Sequence, residues 1–179
     1  QAKGGSSEIT IRKCRFTDFG QRGVNIGGST GREFFRPPLL QIPAGSRYEA
    51  RQIVVEGSTF INGGAPAAFV GTHSSTFRIN TIINPGRFAL RILQETAEGD
   101  FRPCSHGTFS DNLIIFRSSN WGSGGVNIGP GTLPATFTFA RNWWFCQDSP
   151  TRSRPAIPVA ESEGIYGVDP LVDEAGTPK

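Results

Sequence analysis

The pentapeptide Gly-Val-Asn-Ile-Gly occupies residues 23–27 and again residues 125–129. A five-residue identity within 179 residues points to a recurring structural unit, so internal repeats come before any local assignment. Five segments align: ITIRKCRFTD from Ile9, IVVEGSTFIN from Ile53, STFRINTIIN from Ser75, GTFSDNLIIF from Gly107 and FTFARNWWFC from Phe137. Their third residue is always apolar: Ile11, Val55, Phe77, Phe109, Phe139. Three positions on comes a small polar or thiol side chain, Cys14, Ser58, Asn80, Asn112 or Asn142. Two further stands a large apolar one, Phe16, Phe60, Ile82, Ile114 or Trp144.

A second element follows the first four segments. Ten residues after Cys14, Ser58 and Asn80 stand Val24, Ala68 and Leu90, each followed two positions later by Ile26, Val70 and Ile92. In the fourth copy Val126 and Ile128 arrive fourteen residues after Asn112, so both pentapeptides are this second strand. Matching positions are separated by 44, 22, 32 and 30 residues, the shortest step being the bare repeat and the longer ones carrying inserted loops. Alternation with period two over short runs predicts strands. A unit of this size cannot bury its apolar side chains alone, so coils must stack, strand on strand at about 4.8 Å, with like residues on like. The expectation is an all-β parallel solenoid. Twenty-three Gly, thirteen Pro and only three Lys agree with strands and tight turns rather than helices.

Composition excludes several classes. A net charge of +3, with the arginines scattered along the chain, gives no basic stripe for nucleic acid. No apolar run is long enough to span a bilayer. The chain has no Met and begins QAKGGSSEIT, which leaves two expectations: removal of a leader, or a piece of something longer. Cys14, Cys104 and Cys146 have no metal-binding spacing; a bridge between Cys104 and Cys146 and three free thiols are the competing readings.

The stretches TFRINTIINPGRFALRI and TFARNWWF resemble the right-handed parallel β-helix repeat of the pectate lyase-like superfamily. The resemblance runs from Ile9 to Trp144 and implies a right-handed parallel β-helix of about five coils. It also implies an inward ladder of Asn80, Asn112 and Asn142, degrading to Ser58 and Cys14, with Cys14 a buried small side chain. The coils then fill residues 1–146, with insertions at 31–50, 94–106 and 117–124; residues 147–179 form a non-repeat tail packed on the solenoid. The tail's DPLVD is similar to the segment after the last coil in many secreted bacterial β-helix proteins, implying the carboxyl-terminal part of a secreted or cell-surface protein. Nothing resembles a cap before Ile9, so self-association through an exposed first coil is a further expectation.

Relatives of that repeat include pectate, alginate and chondroitin lyases, polygalacturonases and mannuronan epimerases. The implied partner is an acidic polysaccharide, bound or acted on by β-elimination or epimerisation at a uronate. The alternative is a noncatalytic structural or adhesive module. No catalytic signature can be placed. Alternation sets Arg12, Glu56 and Arg78 in one outward row: a charge ladder, or with Lys13 and Arg15 a basic strip for acidic sugars. The second strand presents Asn25, Phe69, Arg91 and Asn127. Trp121 and Trp143 either stack on sugar rings or cover a loop base and the solenoid's end. Glu95, Glu98 and Asp100 form a solvated acidic turn or gather a calcium ion; nothing in the sequence requires another cofactor.

Overall fold

The computed structural model describes residues 1–96, 100–173 and 176–177. Every paired strand runs parallel to its neighbours. Helical segments among the described residues are 3-10 turns of three or four residues.

Strands Thr10–Arg12, Val54–Glu56, Thr76–Arg78, Thr108–Ser110 and Thr138–Ala140 follow one another in a five-stranded sheet. The register puts Ile11 beside Val55, Val55 beside Phe77, Phe77 beside Phe109 and Phe109 beside Phe139. All but Ile11 are buried, and the Phe77 and Phe109 rings lie 5.4 Å apart at 5°. The eight-stranded sheet has two faces, because strands Arg15–Gly27 and Thr59–Val70 run around a corner and serve both. One face stacks Phe16, Phe60, Ile82, Ile114, Trp144 and Tyr166; the other stacks Val24, Ala67, Leu90 and Val126. A three-stranded sheet of Ser6–Ser7, Ala50–Arg51 and Thr72–His73 continues through a bridge from His73 to Ser105. The chain visits the same sheets in turn and lands one rung further each time, a pattern that fits a parallel β-helix or solenoid in general.

The inward residues meet in one apolar core, and its polar component is an amide ladder. Asn112 accepts from the backbone N–H and the side-chain amide of Asn80 (3.0 and 3.2 Å) and donates to Asn142 Oδ1 (2.9 Å) and to the Phe77 carbonyl (3.1 Å). Ser58 N–H donates to Asn80 Oδ1 and Cys14 N–H to Ser58 Oγ, so the ladder thins toward the first coil. Cys14 there is half-buried rather than fully buried, because its rung is stacked on one side only. At the other end Glu161 takes the next rung. Its Oε1 accepts from Asn142 N–H and Nδ2, and its Oε2 from Trp144 Nε1 and the Tyr166 hydroxyl. Burial, followed by that bond to Glu161, pushes the Tyr166 hydroxyl up to about 12. The tail therefore adds a partial rung, Ile165–Tyr166 pairing with Trp143–Trp144.

Three expectations change. In the second coil Phe69, not Ala68 or Val70, points inward: it is fully buried and pairs with Ile26 and Ile92, while Ala68 pairs with Asn25 and Arg91 in the outer row. Phe19 pairs with Gly63 but Arg22 with Ala65, so the first coil uses three residues where the second uses two. A slip of one residue exchanges the faces of a strand. No bridge joins Cys104 to Cys146; all three thiols are free, and burial raises Cys104 to about 11. Residues ahead of Ile9 also contribute more than expected, since Ala2 bridges to Ile26 and covers that part of the first edge.

Corners are turned by residues of positive φ that align in columns. One column holds Lys13, Gly57, Ile79, Asp111, Arg141 and Glu163, and another Asp18, Asn62 and Asn84. Asn62, Asn84 and Asn120 pass side-chain amide bonds along a second, outer ladder that ends on Asp18. Ile79 is the anomaly: β-branched, 59% exposed, at φ 55°. A left-handed L-residue costs about 1–2 kcal/mol, and glycine escapes most of that cost. Ile79→Gly is therefore expected to raise the unfolding free energy by about 1 kcal/mol in a urea melt; an unchanged or lower midpoint contradicts the assignment of strain.

Candidate functional site

The insertion at 31–50 and residues 100–106 fold onto each other beside the three-stranded sheet. Arg102 N–H donates to the Arg47 carbonyl (2.7 Å) and Gly45 N–H to the Asp100 carbonyl (3.0 Å). The Arg47 guanidinium binds the carbonyls of Leu39 and Ile42 and pairs with Asp100, which Arg32 also reaches at 3.1 Å. The Arg32 hydrogen bond and the two guanidinium charges hold the Asp100 carboxyl below the usual carboxylate range. Phe35, Leu39 and Phe101 form a small separate core beneath. Glu49, fully buried, ties the layers together: it accepts from Gly4 N–H (3.2 Å), Thr30 N–H (2.9 Å), Thr30 Oγ1 (2.7 Å) and Thr96 Oγ1 (2.5 Å).

This folding leaves a cleft of about 400 Å³ whose lining, among the described residues, includes Tyr48, Arg51, Gln52, His73, Ser74 and Arg102 and no carboxylate. Parallel register places Arg51 beside His73. The Arg51 guanidinium lies over the Tyr48 ring, 5.3 Å from its centre, and Arg102 Nε donates to the Gly45 carbonyl. His73 Nδ1 is 3.1 Å from Ser105 Oγ, whose own proton goes to the Pro103 carbonyl. The assignment that satisfies both contacts has Ser105 accepting from Nδ1–H, which leaves the lone pair on Nε2. Burial, then the neighbouring His106 and Arg102, lower the His73 pKa below 6.5. The His106 ring stands 4.9 Å away. The cleft thus combines fixed guanidinium donors with an uncharged imidazole at neutral pH, an arrangement suited to an oxyanion and to proton removal beside it.

Residues expected from sequence to bind substrate are dispersed. Arg12, Lys13 and Arg15 are exposed on the first coil, with Lys13 turning its corner at φ 53°. Arg78 pairs with Glu56 at 2.8 Å, and among the described residues Arg12 makes no such pair, so the charge ladder has one rung. Trp121 is half-buried and stacks on Phe116, with ring centres 3.5 Å apart. Trp143 donates its Nε1–H to the Val168 carbonyl of the tail. Arg91 lies in the outer row of another face beside Asn25, Ala68 and Asn127. Of the acidic turn, Glu95 pairs with Arg22 and Asp100 with Arg47 and Arg32, while Glu98 lies outside the described residues.

The sequence marks the 31–50 insertion with Tyr48 as a place where a binding cleft could form, but gives Arg51, His73 and Arg102 no part in one. A signal existed: Ser7, Arg51, His73 and Ser105 each stand two residues before an aligned segment, forming one more repeat column. Strands of two residues are too short to show alternation, so the column escapes a periodicity search.

Comparison with protein-family models, with curated proteins and with solved structures returns no match.

Proposed function

We propose that the chain is a right-handed parallel β-helix of about five coils, secreted or at the cell surface, whose cleft binds an acidic polysaccharide and acts on it at a uronate. Right-handed winding is supported by the general handedness of crossovers between parallel strands. The observation that carries the functional reading is the cleft itself, lined by Arg51, Arg102 and His73 with no acidic counterpart among the described residues. Paired to the uronate carboxylate, the guanidinium groups withdraw charge and acidify the adjacent C5–H bond. His73 Nε2 takes that proton. In β-elimination the electron pair left on C5 forms the C4–C5 double bond and expels the glycosidic oxygen, which takes a proton from the Tyr48 hydroxyl. In epimerisation Tyr48 instead returns a proton to the opposite face of C5.

Incubation with alginate, pectate and chondroitin sulfate, followed by ultraviolet absorbance of the unsaturated product and by proton exchange at C5, tests this directly. Turnover of one polymer is expected, with His73→Ala slowing it by about 10²–10⁴-fold. Retention on the polymers without elimination or exchange would assign the cleft to a noncatalytic adhesive module, and the absence of both would remove the polysaccharide reading.

Acidity supplies a further expectation. Below the lowered pKa of His73 the cleft gains a cation among Arg51, Arg102 and His106, so uronate affinity should rise as pH falls beneath 6.5 while turnover declines. Protonation linked to binding in this way is read by titrating affinity against pH. Affinity that stays flat in wild type, or rises equally in His73→Ala, contradicts it.

A further inference from the structure

We infer that a second oxyanion site lies on the neighbouring face, between Arg87 and Arg91 and independent of the cleft. The outer row of that face runs Asn25, Ala68, Arg91, Asn127 in register. Asn127 Oδ1 holds Arg91 Nε at 3.0 Å, and Asn25 Oδ1 holds Arg22 Nη1 at 3.2 Å, so two guanidinium groups are set by side-chain carbonyls rather than by ion pairs alone. Phe88 fixes the third. Its buried ring carries Arg87 and Arg91, their guanidinium carbons 5.2 and 5.6 Å from its centre. A cavity of about 240 Å³ opens beside them, lined by Gln21, Gly64, Arg87, Phe88 and Arg91.

Charge in this cluster is unbalanced. Among the described residues Arg22, Arg87 and Arg91 share one nearby carboxylate, Glu95, and its ion pair is with Arg22. Among the described residues neither Arg87 nor Arg91 has a carboxylate within 4.0 Å, and Arg22 Nε is buried without a hydrogen-bond partner. Burial, reinforced by Arg22 and Arg87, lowers the proton affinity of Arg91. A planar or tetrahedral oxyanion in the cavity would accept from the terminal nitrogens of Arg91 and from Arg87 and relieve that repulsion, because guanidinium edges bind carboxylate and sulfate bidentately. With the aromatic shelf and both asparagines already in place, little ordering remains to be done on binding. The ligand class is a carboxylate or sulfate group, as borne by an acidic sugar.

Calorimetric titrations with D-glucuronate, with inorganic sulfate and with D-glucose test the site in wild type, in Arg87→Gln/Arg91→Gln and in Arg51→Gln/Arg102→Gln. Besides any uronate held by the cleft, wild type is expected to bind one oxyanion that the Arg87/Arg91 pair of substitutions abolishes and the Arg51/Arg102 pair leaves intact, with D-glucose bound by none. Glucuronate binding without sulfate assigns the site to planar carboxylates, and binding of both to oxyanions at large. Arg91→Lys keeps the charge but not the fork and should weaken binding about tenfold. Arg87→Gln alone, at an exposed position, is the variant to use if the double substitution lowers the melting temperature. A folded Arg87→Gln/Arg91→Gln protein that binds both oxyanions as wild type does, or equal binding of D-glucose, overturns the inference whether or not the cleft binds anything.

Discussion

Asn112→Ala is expected to lower the unfolding free energy by about 3–5 kcal/mol, enough to threaten a domain of ordinary stability. The side chain is 1% exposed and both ends of its amide are occupied. Truncation takes the acceptor from the Asn80 backbone N–H and from the Asn80 amide together, and removes the donor to the Phe77 carbonyl and Asn142. Each buried group so orphaned costs about 1–3 kcal/mol, and members of a shared network lose more together than separately. Asn84→Ala makes the contrast. Asn84 exchanges the same kind of amide bonds with Asn62 and Asn120, but on the outer ladder, where water can replace them. Its loss is expected to stay near 1 kcal/mol. Urea unfolding of both variants gives the comparison; equal losses would mean that the inner ladder is no more than a row of ordinary polar contacts.

Glu49→Ala should cost about 3 kcal/mol, and its effect should reach the cleft as well as the melting curve. Four donors from three separate stretches of chain meet on this carboxylate, and among the described residues no cation stands within ion-pair distance of it. Hydrogen bonds to an ionised acceptor are about twice as strong as neutral ones, and they alone hold the charge here. Without them the amino-terminal residues near Gly4, the segment at Thr30 and the segment at Thr96 are released from the root of the insertion that carries Tyr48. Glu49→Gln directs an NH₂ group at one set of donors and is expected to restore only part of the loss. Thermal melts read the stability, and oxyanion titration of the cleft reads the loosening. A Glu49→Ala protein with unchanged values in both would show that the insertion is held elsewhere.

The columns were legible in sequence because each combined a fixed spacing with a residue type that suits one environment. Ile11, Val55, Phe77, Phe109 and Phe139 are apolar and evenly placed within their segments, and the asparagines that follow them sit where the chain bends. Phe69 was misread because the slip hides in a glycine corner, Asn62-Gly63-Gly64, where neither side-chain type nor alternation marks the missing residue. Glu161 was invisible for a different reason. It takes the place of an asparagine from a segment with no repeat spacing, so only its bonds to Asn142 and Trp144 reveal the role. The cleft lies between these cases: its column of Ser7, Arg51, His73 and Ser105 recurs on schedule, yet its residues share no chemistry. Pairings such as Arg47 with Asp100 join separate insertions, and no local pattern predicts them.

Nuclear Overhauser spectroscopy on protein carrying labelled phenylalanine rings measures the stacking of equivalent residues most directly. Cross-peaks are predicted between the rings of Phe77 and Phe109, whose centres lie 5.4 Å apart, and between those of Phe109 and Phe139 at 6.0 Å, with none joining Phe77 to Phe139. Rings that show no mutual contact, or a direct contact between Phe77 and Phe139, would contradict the stacked-coil account and the sites built upon it.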